Sequence, residues 1–415
     1  MRELMTSKTM TRPGPASDRT EAETLPRRLA GRSFIDPFIV MDVMREANAQ
    51  AAQGKDIIHM EVGQPATQAP RAAREAARHA LETERLGYTE ALGLDLLRAR
   101  IARHYRERYG LDVPPRRIVV TTGSSAGFVL AFLAILEPGD ALALPSPGYP
   151  CYRHILQAVG AVPRLIETTG AARFMPTGED VAGLSATNAA GMLVASPNNP
   201  TGTMAGAARL AELAEACRRQ RLWLVSDEIY HGLEYDEPAS TALEHWDEAI
   251  VVNSFSKYFS MTGWRIGWLV VPDALVRPIE RLAQNLYISP PAISQYAALG
   301  AFEGLDELEA IKAVYAKNRA LLLNELPDAG LREILPADGA FYIYADVSRF
   351  TADSAAFARA MLDDIGVAIT PGIDFDPHKG KDFVRLSYAG PHDAMRDAAN
   401  RIRGWLKTGL VSAVR

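Results

Sequence analysis

Cysteine is scarce: the 415 residues contain two, Cys151 and Cys217. Neither a disulfide framework nor a paired-cysteine metal site can be assembled from them. Both read as reduced thiols of a cytoplasmic protein. Long apolar runs are also lacking. The longest, Phe128 to Leu136, falls short of the roughly 18 residues of a membrane span and suits a buried helix. No excess of one charge sign is available for nucleic acid or an anionic membrane, because the net charge is −5 with both signs interspersed. The first 30 residues have no apolar segment of a secretory signal, and Glu3, Asp18, Glu21 and Glu23 argue against a transit peptide. Residues 1–30, including the Pro/Gly/Ser-containing stretch at 11–17, are expected to be a disordered extension. Internal repeats and low-complexity segments are missing too. What is there is an ordinary globular composition, 48% hydrophobic and 23% charged, at a length that suggests two or three compact units.

Between about residue 60 and residue 272, short apolar runs alternate with helical periodicity. The pattern predicts strands at Arg117–Thr122, Ala141–Leu144, Gly191–Ala195, Leu222–Ser226, Ile250–Asn253 and Arg265–Val271. Helices are expected at Ser124–Ile135, around Tyr152–Val159, and at Ala205–Arg221. Strands that are apolar without alternation are buried on both faces, which means a mostly parallel sheet covered by helices. The rest of the chain reads differently. One long helix is expected over Leu308–Leu326, strands over Phe341–Ala345 and Phe383–Ser387, and amphipathic helices over Ala355–Ile365 and Ala394–Leu406. This describes a smaller α+β unit.

Ligands of open α/β sheets bind beyond the carboxyl ends of the strands, so chemistry is sought just after them. Thr121-Thr122-Gly123-Ser124-Ser125 follows the first strand and opens a helix. It suits either a phosphate or a simple helix cap. Asn253-Ser254-Phe255-Ser256-Lys257 follows another strand, with Arg265 eight residues on inside Gly263-Trp264-Arg265-Ile266-Gly267. A lone lysine is ordinarily a solvated surface residue. Here it stands at a strand exit among hydroxyls, near an arginine whose planar fork fits phosphate. Burial or cationic neighbours would make that lysine a nucleophile.

With four further segments in order, this arrangement resembles the class I/II aminotransferases, the fold-type-I pyridoxal-phosphate enzymes. The segments are Val62-Gly63-Gln64-Pro65, Ser196-Pro197-Asn198-Asn199-Pro200-Thr201-Gly202, Ser226-Asp227-Glu228-Ile229-Tyr230 and Val384-Arg385-Leu386-Ser387-Tyr388. The resemblance covers roughly residues 30 to 408. It implies a large cofactor-binding domain over 63–295 with a seven-stranded-type sheet, and a smaller domain made of 31–62 with 296–415. It also implies a cytoplasmic homodimer with shared active sites.

The resemblance further implies a role for each matching residue. Lys257 would form the Schiff base with pyridoxal phosphate and shuttle the Cα proton. Asp227 would pair with the ring nitrogen, although a strand-end or capping carboxylate is the alternative. Tyr230 and Asn199 would bond the ring's phenolic oxygen, and Asn199 also fits plain turn chemistry. Tyr149 would stack on the ring or serve as a core tyrosine. Ser124, Ser125, Ser254 and Arg265, with Ser256 as a further candidate, would hold the phosphate. Arg385 would grip the substrate α-carboxylate, or else be a surface arginine; Gly63 would let backbone approach that carboxylate. Tyr88, in Gly87-Tyr88-Thr89, would reach the phosphate of the neighbouring subunit. No lysine or arginine lies between Thr122 and Arg153. Some relatives that take aspartate use a cation there, so an enzyme confined to dicarboxylates is not expected unless another segment supplies the cation; alanine, branched and aromatic donors all stay open. The expected activity is amino-group exchange between an L-amino acid and a 2-oxo acid. A β-elimination lyase or synthase on the same scaffold, and a non-catalytic regulator domain, are the competing readings.

Overall fold

The computed structural model describes residues 29–331 and 334–407. The extension expected at residues 1–30 therefore lies outside the described residues except for its last two. In chain order the strands are β1 (Ile58–His59), β2 (Ile118–Thr121), β3 (Ala141–Ser146), β4 (Val162–Glu167), β5 (Ala189–Ala195), β6 (Trp223–Asp227) and β7 (Ile250–Ser254). They continue with β8 (Gly267–Val270), β9 (Tyr342–Asp346), β10 (Val367–Ala368), β11 (Thr370–Pro371) and β12 (Phe383–Ser387).

Seven strands form one sheet in the order β2-β8-β7-β6-β5-β3-β4. Its pairings are parallel except those of β8, which runs antiparallel to both β2 and β7. The central strands are apolar on both faces: Leu193, Val194, Leu224, Val225, Val251 and Val252 are all fully buried. Removing each such side chain from water stabilises the fold by about 1.5–3 kcal/mol before chain entropy is counted. The expected strands are present with ends shifted by one or two residues. One departs for a local reason: Arg265 has φ +51° and stands outside β8, which starts at Gly267. β4 was not expected, because this edge strand carries no continuous apolar run and is never fully buried along its length.

The helices expected between the strands cover the sheet at Gly123–Ile135, Pro150–Val159 and Ala207–Gln220. A second, antiparallel sheet, β11-β12-β9, carries Arg385 in its middle strand, paired with Tyr344 on one side and Thr370 on the other. The helix Leu305–Ala329 packs along His392–Lys407 beside it. Parallel pairing of β1 with β10 ties residues near the chain start to this C-terminal region. Ahead of β1 runs the helix Ile39–Ala52, which the sequence reading did not single out. No described helix is long and apolar enough to cross a membrane.

Candidate active site

Because β2, β3, β5, β6 and β7 run in one direction, their C-terminal ends open on the same edge of the sheet. A cavity of about 440 Å³ lies there. Its wall brings together Gly63, Ser124, Ser125, Tyr149, Asn199, Asp227, Tyr230, Ser256, Lys257, Arg265 and Arg385. Two residues named from the sequence lie elsewhere. Ser254 sits behind the wall, with its hydroxyl 2.8 Å from Ser256 Oγ and donating to the Ile266 carbonyl at 3.1 Å. Tyr88 is 83% exposed and borders a separate surface groove with Glu84, Arg85 and Tyr296.

At the floor, the Lys257 amine donates to the Gly63 carbonyl. Burial lowers its pKa to about 8; Arg385 and, more weakly, Arg265 push in the same direction, and Asp227 opposes them. Asp227 ends β6 and is 4% exposed. Burial raises its carboxyl to about 6, against the hydroxyl of Tyr152 and the Ile229 N–H, which bond the charged form. The next residue, Glu228, turns the other way. It accepts from Ser226, Thr241 and the Ala242 amide at 2.9–3.0 Å and so locks the strand end to the following turn.

A helix start and a guanidinium, both positive, frame another corner. Thr122 precedes the helix Gly123–Ile135 without a side-chain cap, so amides of the first turn keep their hydrogen-bonding capacity. Gly123, at φ +76°, leaves room for the Arg265 guanidinium: a Cβ there would lie 2.6 Å from Nη2. A helix N-terminus and a guanidinium together form a cradle for an anion.

Arg385 is 1% exposed. It donates to neutral oxygens, the Asn199 side chain at 2.9 Å, the Thr370 hydroxyl at 3.2 Å and the Glu61 carbonyl. Its Nε has no partner among the described residues. The guanidinium is sandwiched between the rings of Tyr342 at 4.5 Å and Phe375 at 4.7 Å. A buried cation held only by neutral groups is an anion receptor.

Several cavity or supporting residues escaped the sequence reading. Tyr152 stands three residues after Tyr149, one turn into the helix that Tyr149 precedes, a spacing that lets the two rings meet, and this signal could have been used. Tyr342 bonds Tyr230 through their hydroxyls at 2.7 Å. Gly63 makes space for it, since a Cβ there would overlap the Tyr342 hydroxyl. Nothing local marks Tyr342, Phe375 or Phe38, which reach the cavity or Arg385 only through tertiary packing.

An α/β fold with a buried amine, a buried carboxyl and an anion cradle at one sheet edge is the build of an enzyme. The profile described as "Aminotransferase class I and II" matches residues 55–402, and the chain belongs to that family, whose members use pyridoxal phosphate. It is a pyridoxal-phosphate-dependent aminotransferase of fold type I. Valine–pyruvate aminotransferase of Mycobacterium tuberculosis is 47% identical over 384 residues, covering 91% of this chain and 98% of that one. The crystal structure of an aminotransferase from the same organism matches with a TM-score of 0.90 at 47% identity, covering 92% of this chain and all of that one. Aspartate aminotransferase of Thermus thermophilus with maleate matches with a TM-score of 0.87 at 32% identity, over 91% of this chain and 99% of that one.

Proposed function

We propose that this aminotransferase carries pyridoxal phosphate on Lys257 and moves amino groups from small aliphatic L-amino acids, valine and alanine among them, to 2-oxo acids such as pyruvate. The observation that carries the reading is the meeting of Lys257, Asp227 and the anion receptor Arg385 in one cavity. The residues fit the cofactor. The uncapped helix start with Ser124, Ser125 and Arg265 suits its phosphate, helped by Ser256 and, from behind the wall, by Ser254. Tyr149 would cover one face of the ring, and Tyr230 and the amide nitrogen of Asn199 would donate to its phenolic oxygen.

When bound, pyridoxal phosphate supplies an aldehyde that links to amines and a ring that takes up the electron pair released at Cα. Lys257, with its pKa drawn down to about 8, keeps a far larger neutral fraction for the link near neutral pH than an ordinary lysine does. Freed from that link, the Lys257 amine would be the group that takes the proton from Cα and hands it back. Asp227 holds a proton at the ring nitrogen. Arg385 fixes the α-carboxylate through its fork, with Gly63 leaving the backbone close by. The apolar walls Phe38, Val40, Met41, Val62 and Ile229 support aliphatic donors. Among the described residues the cationic side chains of this lining are Lys257, Arg265 and Arg385, each with a task already, so these residues offer no further cation for a distal carboxylate.

The reading extends to assembly and place. The enzyme forms a two-fold dimer, with the exposed Tyr88 entering the partner's site. Each chain divides into a large unit over 63–295 and a small unit of 31–62 with 296–415. The pairing of β1 with β10 supports this division, and the helix Ala292–Ala301 crosses from one unit into the other while packing on Arg71–Thr83. The enzyme works in the cytoplasm, a placement in keeping with unpaired Cys151 and Cys217.

Incubation with valine, alanine, phenylalanine and aspartate against pyruvate tests the donor class. New alanine from valine supports it, and free ammonia and pyruvate from a β-substituted donor count against it. Mixing Tyr88→Ala with Lys257→Ala chains tests the shared site. Recovery above both parents at limiting cofactor is expected, and no recovery in proven hybrids removes Tyr88 from it.

A further inference from the structure

One wall of the cavity comes from the far end of the chain. The helix Ile39–Ala52 points its start at the cavity and contributes Phe38, Val40 and Met41 to the lining. Phe38 meets Tyr149 edge-on, with ring centroids 5.7 Å apart. A helix start needs partners for its first amides, and Phe38, at the capping position, has no side-chain acceptor to give. The partner is Asp374, 2% exposed, whose two carboxylate oxygens accept from the Ile39 and Val40 amides at 3.2 Å each.

Asp374 is itself held. Arg153 donates to the carbonyl of Asp374 at 2.8 Å and to that of Phe375 at 3.2 Å, and the Gly148 amide also bonds the Phe375 carbonyl at 3.2 Å. The next side chain, Phe375, lies against the Arg385 guanidinium. One short loop therefore touches both the receptor for the α-carboxylate and the wall that a donor's side chain would meet. The carboxylate of Asp374 is the clasp between the loop and the wall.

We propose that Asp374 is a positioning residue for donor choice: by clasping the Ile39 and Val40 amides it fixes Phe38 and Met41 as the wall that limits side-chain length. The proposal rests on reading this cavity as the amino-acid site. Without the clasp the first turn of the helix loosens, Phe38 withdraws from Tyr149, and the cavity accepts longer side chains. An apolar wall separates donors modestly, since one methylene is worth about 10–200-fold at most.

The test compares the holoenzyme with Asp374→Ala, Asp374→Asn and Phe38→Ala, using alanine, valine and phenylalanine as donors. Asp374→Ala is expected to lower the ratio of kcat/KM for valine over phenylalanine by about tenfold, the scale of one lost wall contact. Phe38→Ala shifts the ratio in the same direction, and the double variant adds little beyond either, because both act on one wall. Asp374→Asn keeps one acceptor oxygen and falls between wild type and alanine. Hydrogen exchange supplies a readout apart from turnover: the Ile39 and Val40 amides exchange faster in Asp374→Ala, while β6 stays protected. If Asp374→Ala does not fold, Asp374→Asn and Phe38→Ala carry the same comparison. A uniform loss across the three donors, or unchanged exchange at Ile39 and Val40, overturns the proposal. Arg385→Lys separates this from the reading beneath it. It should weaken all three donors alike; if it does not, the assignment of the carboxylate end falls, while donor ratios and exchange still judge the wall.

Discussion

The two ends of the cavity are built from different materials. At the sheet edge, Asp227, Lys257 and the helix start at Gly123 sit within a few residues of a strand end, and main-chain amides do much of the work. At the other end, Arg385 projects from an antiparallel strand, is clamped by two aromatic rings, and faces a wall brought from residues 38–41. The first end is rigid by virtue of the buried parallel sheet. The second depends on a few long-range contacts, each replaceable. Such a division lets the chemistry stay fixed while the substrate side varies, because loosening a loop or wall costs less than disturbing a fully buried sheet.

Substitutions should reveal the asymmetry, with the largest effects at the sheet edge. Lys257→Ala removes both the linking amine and the proton carrier, so turnover should fall by about 10⁴-fold or more, measured in single-turnover assays with added cofactor. Asp227→Asn should cut the rate of Cα deprotonation by about 10²-fold, the equivalent of two pKa units at the ring at about 1.4 kcal/mol each. Cofactor should still bind in that variant, and near-normal turnover would make Asp227 a structural carboxylate. At the other end the effects shrink. Arg385→Lys loses the bidentate fork, and KM for amino and oxo acids should both rise by about tenfold or more, as expected for one charge-assisted bond of about 1.5–3 kcal/mol. Equal service by amines lacking a carboxylate would contradict the role.

The smallest of the four effects sharpens the comparison. Tyr152→Phe removes a donor from Asp227 while leaving the sheet intact. Loss of a bond to the charged form disfavours that form, so the Asp227 pKa should climb above its value of about 6 in the cofactor-free protein. Asp227 is competent only when ionised, so the acidic limb of the pH–rate profile should move to higher pH, with kcat near the plateau changed by less than about tenfold. An unmoved limb would show that Tyr152 only packs.

The same asymmetry explains what could be read from sequence. Lys257, Asp227 and Ser124 follow apolar runs that announce strands, so their place at the sheet edge follows from one rule about where α/β sheets bind ligands. The antiparallel pairing of β8 was not legible, because a short buried strand reads the same in either direction. Arg385 was marked by a resemblance rather than by its setting. Tyr342 and Asp374 carried no mark, since an aromatic or a carboxylate becomes part of this site only when residues more than a hundred positions apart meet; Phe375 stands near Arg385 in sequence, but nothing local showed that the two would pack. Ser254 shows the converse: a motif position can stand behind the wall, with Ser256 lining the cavity in front of it.

The chemistry of the site hangs on one covalent link, and borohydride reduction of the holoenzyme is its sharpest test. The lowered pKa of Lys257 predicts that cofactor capture by the cofactor-free protein accelerates as pH rises through about 8, where the neutral amine becomes the major form. After reduction, peptide mapping should find the pyridoxyl group on Lys257 and on no other lysine, and it should vanish in Lys257→Ala. A stable adduct on a different lysine, with Lys257 unmodified in active enzyme, would contradict the account.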